Sequence, residues 1–323
     1  MVDFNIFSFP QKVQETFDFQ YHHNALYKDY IHRVFGEKPE ITGLTDLPFL
    51  PIQFFKSHEV KTTVFDAEVI FESSGTTRAG NSRHHVKSVA VYRESFLAGF
   101  EQFYGSPENF CILALLPSYL ERSNSSLILM ADDLIKRSSH PKSGFYLDQL
   151  KNLSKTILEL ESSGQPTILL GVTFALMDFA AVFPMNLKHT IIMETGGMKG
   201  RREELTRNEV HAFLKNAWGL KEIHAEYGMT ELLSQAYSKG DGIFYCPPWM
   251  KILLRAEDDP LSTTDRHGNP LKQGLINIID LANRFSCSFI ATDDLGILHE
   301  DGGFEVIGRM DNSDVRGCSL MVV

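Results

Sequence analysis

VIFESSGTTRAGNSRHH, Val69 to His85, carries an apolar strand-like run, Val69-Ile70-Phe71, directly into Ser73-Ser74-Gly75-Thr76-Thr77. That loop offers hydroxyls and free backbone N–H groups at high density, with a glycine that lets the backbone come close. This is what a polyphosphate needs. It is not a Walker loop, because GxxxxGK[ST] occurs nowhere in the chain. Arg78 and Arg83 follow and can add positive charge. Further along come Thr195-Gly196-Gly197, Tyr227-Gly228-Met229-Thr230-Glu231, Thr292-Asp293-Asp294-Leu295-Gly296 and Gly308-Arg309. Their order and spacing carry more information than any one of them.

Outward from the loop, strands and helices alternate. Helical spacing is expected over 11–35, 89–104, 124–137, 147–162 and 206–217, the last opened by the capping box Thr206-Arg207-Asn208-Glu209. A further helix follows the strand at 167–171 and runs to about Phe183. Other strands are expected at 111–116, 190–193 and 222–225. Leu47 to Lys56, aromatic and punctuated by Pro48 and Pro51, reads as an extended segment packed on the core. This alternation implies an α/β fold of parallel βαβ sheets flanked by helices. Beyond about residue 242, short runs at 251–255, 275–281, 288–291, 296–299 and 303–307 read as an antiparallel β subdomain, with Asp293-Asp294 in a turn. The expected division is therefore 1–241 and 242–323, joined without a linker into one compact unit.

The 323 residues allow one large domain or two ordinary ones, and 43% hydrophobic with 22% charged content suits a globular enzyme. A net charge of −10 and the lack of any basic stripe argue against a nucleic-acid surface. No apolar run reaches the roughly 18 residues of a membrane span. MVDFNIFSFPQK lacks the features of a signal peptide. Cys111, Cys246, Cys287 and Cys318 are far apart and contain no CxxC pair, so a disulfide or zinc framework is not expected and the cytoplasm is the default. His84 and His85 read as neutral structural residues, Cys111 as inert, and Cys318 as a thiol that Arg316 can help ionise.

The glycines at 195–197 follow a strand, where ligands of parallel sheets sit, and can accept a flat ring. Glu231, beyond another strand and beside a phosphate loop, suits Mg²⁺, which binds one or two carboxylates plus substrate phosphates. Asp294 can accept hydrogen bonds from ribose hydroxyls. No GxSxG elbow is present, which disfavours a serine hydrolase.

Together these segments resemble the large domain of the adenylate-forming enzymes, the acyl- and aryl-CoA ligases and firefly-type luciferases. Ser73 to Thr77 resembles their phosphate loop, Gly196-Gly197 their adenine-facing turn, YGMTE their most recognisable motif with Glu231 as Mg²⁺ ligand, TDDLG their TGDLG, and Arg309 the arginine of their hinge segment. A narrower resemblance, carried by LPFLPIQFFKSHEVKT (47–62), FESSGTTRAGNSRH (71–84) and GGFEVIGRMDNSDVRGC (302–318), is to the acyl-protein synthetases of bacterial bioluminescence. It covers about residue 20 to the end. The resemblance implies ATP and Mg²⁺ as cofactors and a carboxylic, fatty acid as substrate. Ser73, Ser74, Gly75, Thr76 and Thr77 would hold phosphate, and Gly196, Gly197, Tyr227, Gly228, Met229, Thr230, Asp294 and Arg309 would form the rest of the nucleotide site. Thr77, Glu231 and Cys318 would carry the chemistry, Cys318 as acyl acceptor. The sequence departs from the broader superfamily in two ways: it runs only 14 residues past Arg309, without the small lysine-bearing domain, and it has Thr77-Arg78 where a glycine is usual.

Three functions stand side by side: an acyl-protein synthetase, a ligase passing the acyl group to coenzyme A or a carrier protein, and a non-catalytic nucleotide-binding partner of an acyl reductase.

Overall fold

In a computed structural model of the chain, residues 8–73, 80–116, 124–147, 149–196, 205–265 and 267–310 are described. The helices are α1 Phe9–His23, α2 Ala25–Phe35, α3 Phe54–Ser57, α4 Val89–Tyr104, α5 Ser126–Ser138, α6 Leu150–Ser163, α7 Thr173–Val182 and α8 Arg207–Trp218. The strands of the first half are β1 Leu50–Pro51, β2 Val69–Glu72, β3 Arg83–Val86, β4 Cys111–Leu115, β5 Gly144–Phe145, β6 Thr167–Gly171, β7 Thr190–Glu194 and β8 His224–Tyr227. The second half adds β9 Ala236–Ser238, β10 Ile243–Tyr245, β11 Met250–Arg255, β12 Gln273–Asp280, β13 Phe289–Leu298 and β14 Phe304–Arg309.

The α/β class is as expected. Strands β5-β4-β6-β7-β8 pair in parallel. They bear continuous apolar runs because helices cover both faces: all five residues of β4 and of β6 are buried. From β8 the ladder continues through antiparallel β9, β10, β14, β13, β12 and β11. The β2–β3 hairpin stands apart, with Val69 opposite Val86 and Glu72 opposite Arg83.

Three expectations need correction. The helix over 11–35 is two helices, because Asn24 both ends one and starts the next. Its N–H donates to the Gln20 carbonyl at 2.8 Å, and its side-chain oxygen accepts from Tyr27 N at 3.0 Å. Its amide also donates to Ser286 O at 3.0 Å, pinning the break to the distant β-rich half. The Leu47–Lys56 segment is extended only in part, pairing as β1 with β13 before turning into α3. Asp293 and Asp294 lie inside a single strand, β13, rather than in a turn. Its ladder with β14 absorbs an irregularity between Leu295 and Gly296, so the local polarity of TDDLG reports a bulge and not a chain reversal.

The capping box at Thr206 and Glu209 forms as read. The α8 helix ends on fully buried Trp218, whose Nε1 donates to Phe183 O at 3.1 Å and whose ring packs on Phe179. Truncating it removes that bond and leaves a large void between α7 and α8. Trp218→Ala is expected to cost about 3–5 kcal/mol, read as a lower denaturant midpoint with an unchanged slope.

Candidate active site

The strands place the candidate residues at the carboxyl ends of β7 and β8 and on the facing part of β13–β14. The neck of the β2–β3 hairpin is closed twice. Ser73 N–H donates to Ser82 O at 3.1 Å, and Ser82 N–H donates to Ser73 Oγ at 2.9 Å. Ser74, Gly75, Thr76 and Thr77 of the loop lie outside the described residues, as do Gly197 and Cys318.

Glu231 comes to this neck. It is 6% exposed. Burial pushes its carboxyl above the ordinary range, while a hydrogen bond to Ser82 and the charge of Arg309 pull the other way. No group of three or more His, Cys, Asp or Glu able to hold a metal occurs among the described residues. A lone buried carboxylate beside a hydroxyl-rich hairpin fits a hard cation that takes its remaining ligands from substrate phosphates. Its backbone is held from behind. His84 Nδ1 lies 2.9 Å from Thr230 O and its Nε2 3.0 Å from Asn283 Oδ1, so the single N–H of a neutral ring donates to one of these two acceptors, and Asn283 Nδ2 donates to Glu231 O at 2.7 Å. Burial lowers the His84 pKa to about 4, so the ring is neutral, as its sequence context suggested.

Tyr227 ends β8 and donates its hydroxyl to Asp294 Oδ2 at 2.9 Å, its ring packed against Phe244 and Phe304. Asp294 and Arg309 are register partners, with Arg309 Nε 3.9 Å from Asp294 Oδ1 and its Nη2 3.9 Å from Asp293 Oδ2. Asp293 also accepts from Gln53 Nε2 at 2.6 Å, which ties β1 to this edge. A Cβ at Gly228 would lie 2.4 Å from Glu226 Oε1, so a larger residue there would have to push that side chain aside. Met229 packs on the core beside it. Gly196 adopts φ 74°, a conformation that favours glycine. It is pinned by its N–H to Glu194 Oε1 at 2.7 Å and by its carbonyl, which accepts from Thr173 N at 3.0 Å.

Residues 7–323 match the family model described as "Acyl-protein synthetase, LuxE". The chain belongs to this acyl-protein synthetase family. A curated relative, the long-chain-fatty-acid–luciferin-component ligase of Vibrio harveyi, is 22% identical over 342 residues, covering 95% of this chain and 85% of that protein. Similar folds include ATP-bound MatB from Rhodopseudomonas palustris (TM-score 0.52, 16% identity, 77% of this chain and 50% of that one). The O-succinylbenzoate coenzyme A synthetase of Bacillus subtilis, solved with ATP and magnesium, is comparable (TM-score 0.50, 16% identity, 76% and 51%). The chain spans about half the length of these two solved structures, and the likeness to them establishes the adenylate-forming fold.

In this acyl-protein synthetase, several residues around the site escaped the motif reading. Glu194 is buried and accepts from Thr173 Oγ1 as well as from Gly196 N. Although burial works against it, its carboxyl is held below the ordinary value by His211, whose Nε2 lies 3.9 Å from Glu194 Oε2, by the charge of Arg207 and by the hydrogen bond from Thr173. Glu226, the residue before Tyr227, has the opposite fate. Burial first, and then the neighbouring Glu194 charge, push it up to about 8. Glu194 stands at the end of its strand and Glu226 just before Tyr227, so a search for buried acids next to known motifs would have flagged both. His84 and Gln53 lie within the segments carrying the family resemblance, but their partners are 199 and 240 positions away.

The Glu226 shift has a stability consequence. Between its unfolded value near 4.5 and its folded value of about 8, the native state holds a proton that the unfolded chain releases. Stability therefore falls as pH rises through that window. Glu226→Gln cannot titrate. Relative to wild type, the variant should gain on the order of 2–4 kcal/mol between about pH 5 and about pH 8, measured by denaturant titration at both values.

Proposed function

We propose that the chain is a ligase that uses ATP to activate a fatty acid as an acyl-adenylate and then passes the acyl group to its own Cys318. The observation that carries this reading is the convergence of the Ser73–Ser82 neck, Glu231 and the Tyr227–Asp294–Arg309 cluster around the end of β8. Ser73 to Thr77 hold phosphate oxygens. Gly196 and Gly197 face adenine, with Tyr227 and the 228–230 turn walling the nucleotide. Asp294 accepts from ribose hydroxyls, with Arg309 setting its orientation. Glu231 would hold Mg²⁺, which when bound would offset the negative charge that develops on the phosphates.

The fatty-acid carboxylate oxygen attacks the α-phosphorus, and the bond to pyrophosphate breaks. A thiolate sulfur then attacks the acyl carbon, and AMP leaves. Burial pushes up the thiols of Cys111, Cys246 and Cys287, the last to about 12, so none of these is readily ionised. Cys318, with Arg316 two residues away, is the remaining cysteine. The family membership, the fatty-acid ligase relative and this site together do not favour transfer to coenzyme A or a purely binding role. An acyl reductase that consumes the thioester suits the chemistry as a partner. No helix among the described residues is long and apolar enough to cross a membrane, and the scattered cysteines support a reducing, cytoplasmic setting.

Hydroxylamine trapping tests the first half-reaction. With ATP, Mg²⁺ and a fatty acid, acyl-hydroxamate and AMP are expected in equal amounts. AMP formation that ignores the acid, or none with any acid, contradicts the reading.

A further inference from the structure

The ladder between β12 and β13 breaks at the candidate site. Leu275 pairs with Leu295 and Asn277 with Ala291, so Ile276 alone stands opposite Thr292, Asp293 and Asp294. Side chains bond the carbonyls of this bulge. Arg255 Nη1 donates to Ile276 O at 3.1 Å and to Asn277 Oδ1 at 2.9 Å, and its Nη2 donates to Thr292 O at 2.6 Å. Thr292 Oγ1 donates to Ile276 O at 2.9 Å and accepts from Asp294 N at 3.2 Å. The bulge is thus a built feature, held by an arginine that is 6% exposed.

Its effect is on direction. Successive side chains of a regular strand point to opposite faces. Here Asp293 and Asp294 both reach one guanidinium: Arg309 Nη2 is 3.9 Å from Asp293 Oδ2, and its Nε is 3.9 Å from Asp294 Oδ1. Both carboxylates are largely screened from water, whereas Arg309 is half-exposed. Asp294 also accepts from the Tyr227 hydroxyl at the end of β8. Asp293 is anchored from its other side. Its Oδ1 accepts from Gln53 Nε2 at 2.6 Å, and its backbone carbonyl accepts from Met310 N at 2.8 Å. Burial works against the Arg255 charge, and the Asp293 carboxylate favours it. Charges therefore alternate along a row, Arg255, Asp293, Arg309 and Asp294, that ends at Tyr227.

An arginine drawn by one aspartate alone would close on it. Arg309 stands equally far from two, and opposite charges at equal distance pull comparably. Asp293 competes with Asp294 for the guanidinium, and Gln53 keeps Asp293 in place to do so. Resting on the ligase reading above, we infer that Gln53 and Asp293 are positioning residues for the nucleotide: they hold Arg309 off Asp294, so that the Asp294 carboxylate can serve the ribose. Both act through Arg309.

The test compares ATP with 2′-deoxy-ATP and 3′-deoxy-ATP in acid-dependent formation of the nucleoside monophosphate, with a panel of saturated fatty acids and hydroxylamine as acyl trap. Wild type should prefer ATP to at least one deoxy analogue by about tenfold or more in kcat/KM, because a group placed to bond a hydroxyl rejects the analogue that lacks it. Gln53→Leu removes one hydrogen bond to a carboxylate. It should raise KM for ATP about tenfold and keep kcat within about threefold of wild type, since the ribose is remote from the reacting phosphorus. It should also shrink the preference over the deoxy analogue to within about twofold. Asp293→Asn should act alike, and the double variant should fall within about twofold of the weaker single variant, because the two residues serve one contact. Should Asp293→Asn fail to fold for want of a counter-charge to Arg255, Gln53→Leu carries the test alone. Equal losses on ATP and both deoxy analogues mark a merely structural role and overturn the inference, as does a Gln53→Leu protein that behaves as wild type. Wild type that uses all three nucleotides alike overturns it too. Wild type that forms no nucleoside monophosphate with any of the acids overturns the ligase reading itself.

Discussion

Glu231→Gln is expected to lower acid-dependent AMP formation by about 100–1000-fold while leaving the melting temperature within a few degrees of wild type. The substitution keeps the size of the side chain and a group able to bond Ser82, and removes only the charge. Glu231 is nearly sealed from water, so no exposed carboxylate substitutes for it. Its backbone carbonyl stays fixed by Asn283, and His84 lies against that of Thr230, so the turn itself should survive. The loss should fall mainly on the chemical step, because the charge is needed most where negative charge builds on the phosphates. Activity within about threefold of wild type would remove Glu231 from its assigned role.

Cys318→Ala should abolish the acylated protein completely and leave acyl-adenylate formation intact. The two half-reactions use different atoms: adenylation needs the proposed nucleotide site at β8 and β13, whereas transfer needs a nucleophilic sulfur. The measurement is intact mass after incubation with ATP, Mg²⁺ and tetradecanoate, with and without neutral hydroxylamine. Wild type should gain one acyl group, released by hydroxylamine as expected of a thioester, and the variant should gain none while still forming AMP. An equal mass increase in the variant would move the acceptor elsewhere, and loss of AMP formation as well would make Cys318 structural.

Features set by near neighbours were legible in the sequence. Thr206 and Glu209 cap α8 as read, because a capping box spans a single turn. The run before Ser73 is a strand, and another strand leads into the Tyr227–Glu231 motif, ending two residues later than expected, because apolar runs and turn residues act locally. The failures share a cause. Asn24 interrupts a helical pattern, and its side chain is anchored to Ser286 in the far half of the chain. Asp293 and Asp294 look like turn residues, yet they sit in a strand whose pairing with β12 and β14 overrides their local preference. The same distance hid the supports of the candidate site. The His84–Asn283 contact and the Gln53–Asp293 bond arise only once β3 and β1 are brought against their neighbours. Motifs gave the groups expected to touch ligand, while packing decided what holds them.

The most direct test of the central claim is pyrophosphate exchange into ATP by the full chain with Mg²⁺, run with and without a fatty acid. Exchange that depends on the acid and is lost in Glu231→Gln is the predicted result, because it requires reversible formation of an acyl-adenylate at this site. Nucleotide binding without exchange for any acid, or exchange unaffected by loss of the Glu231 charge, would contradict it.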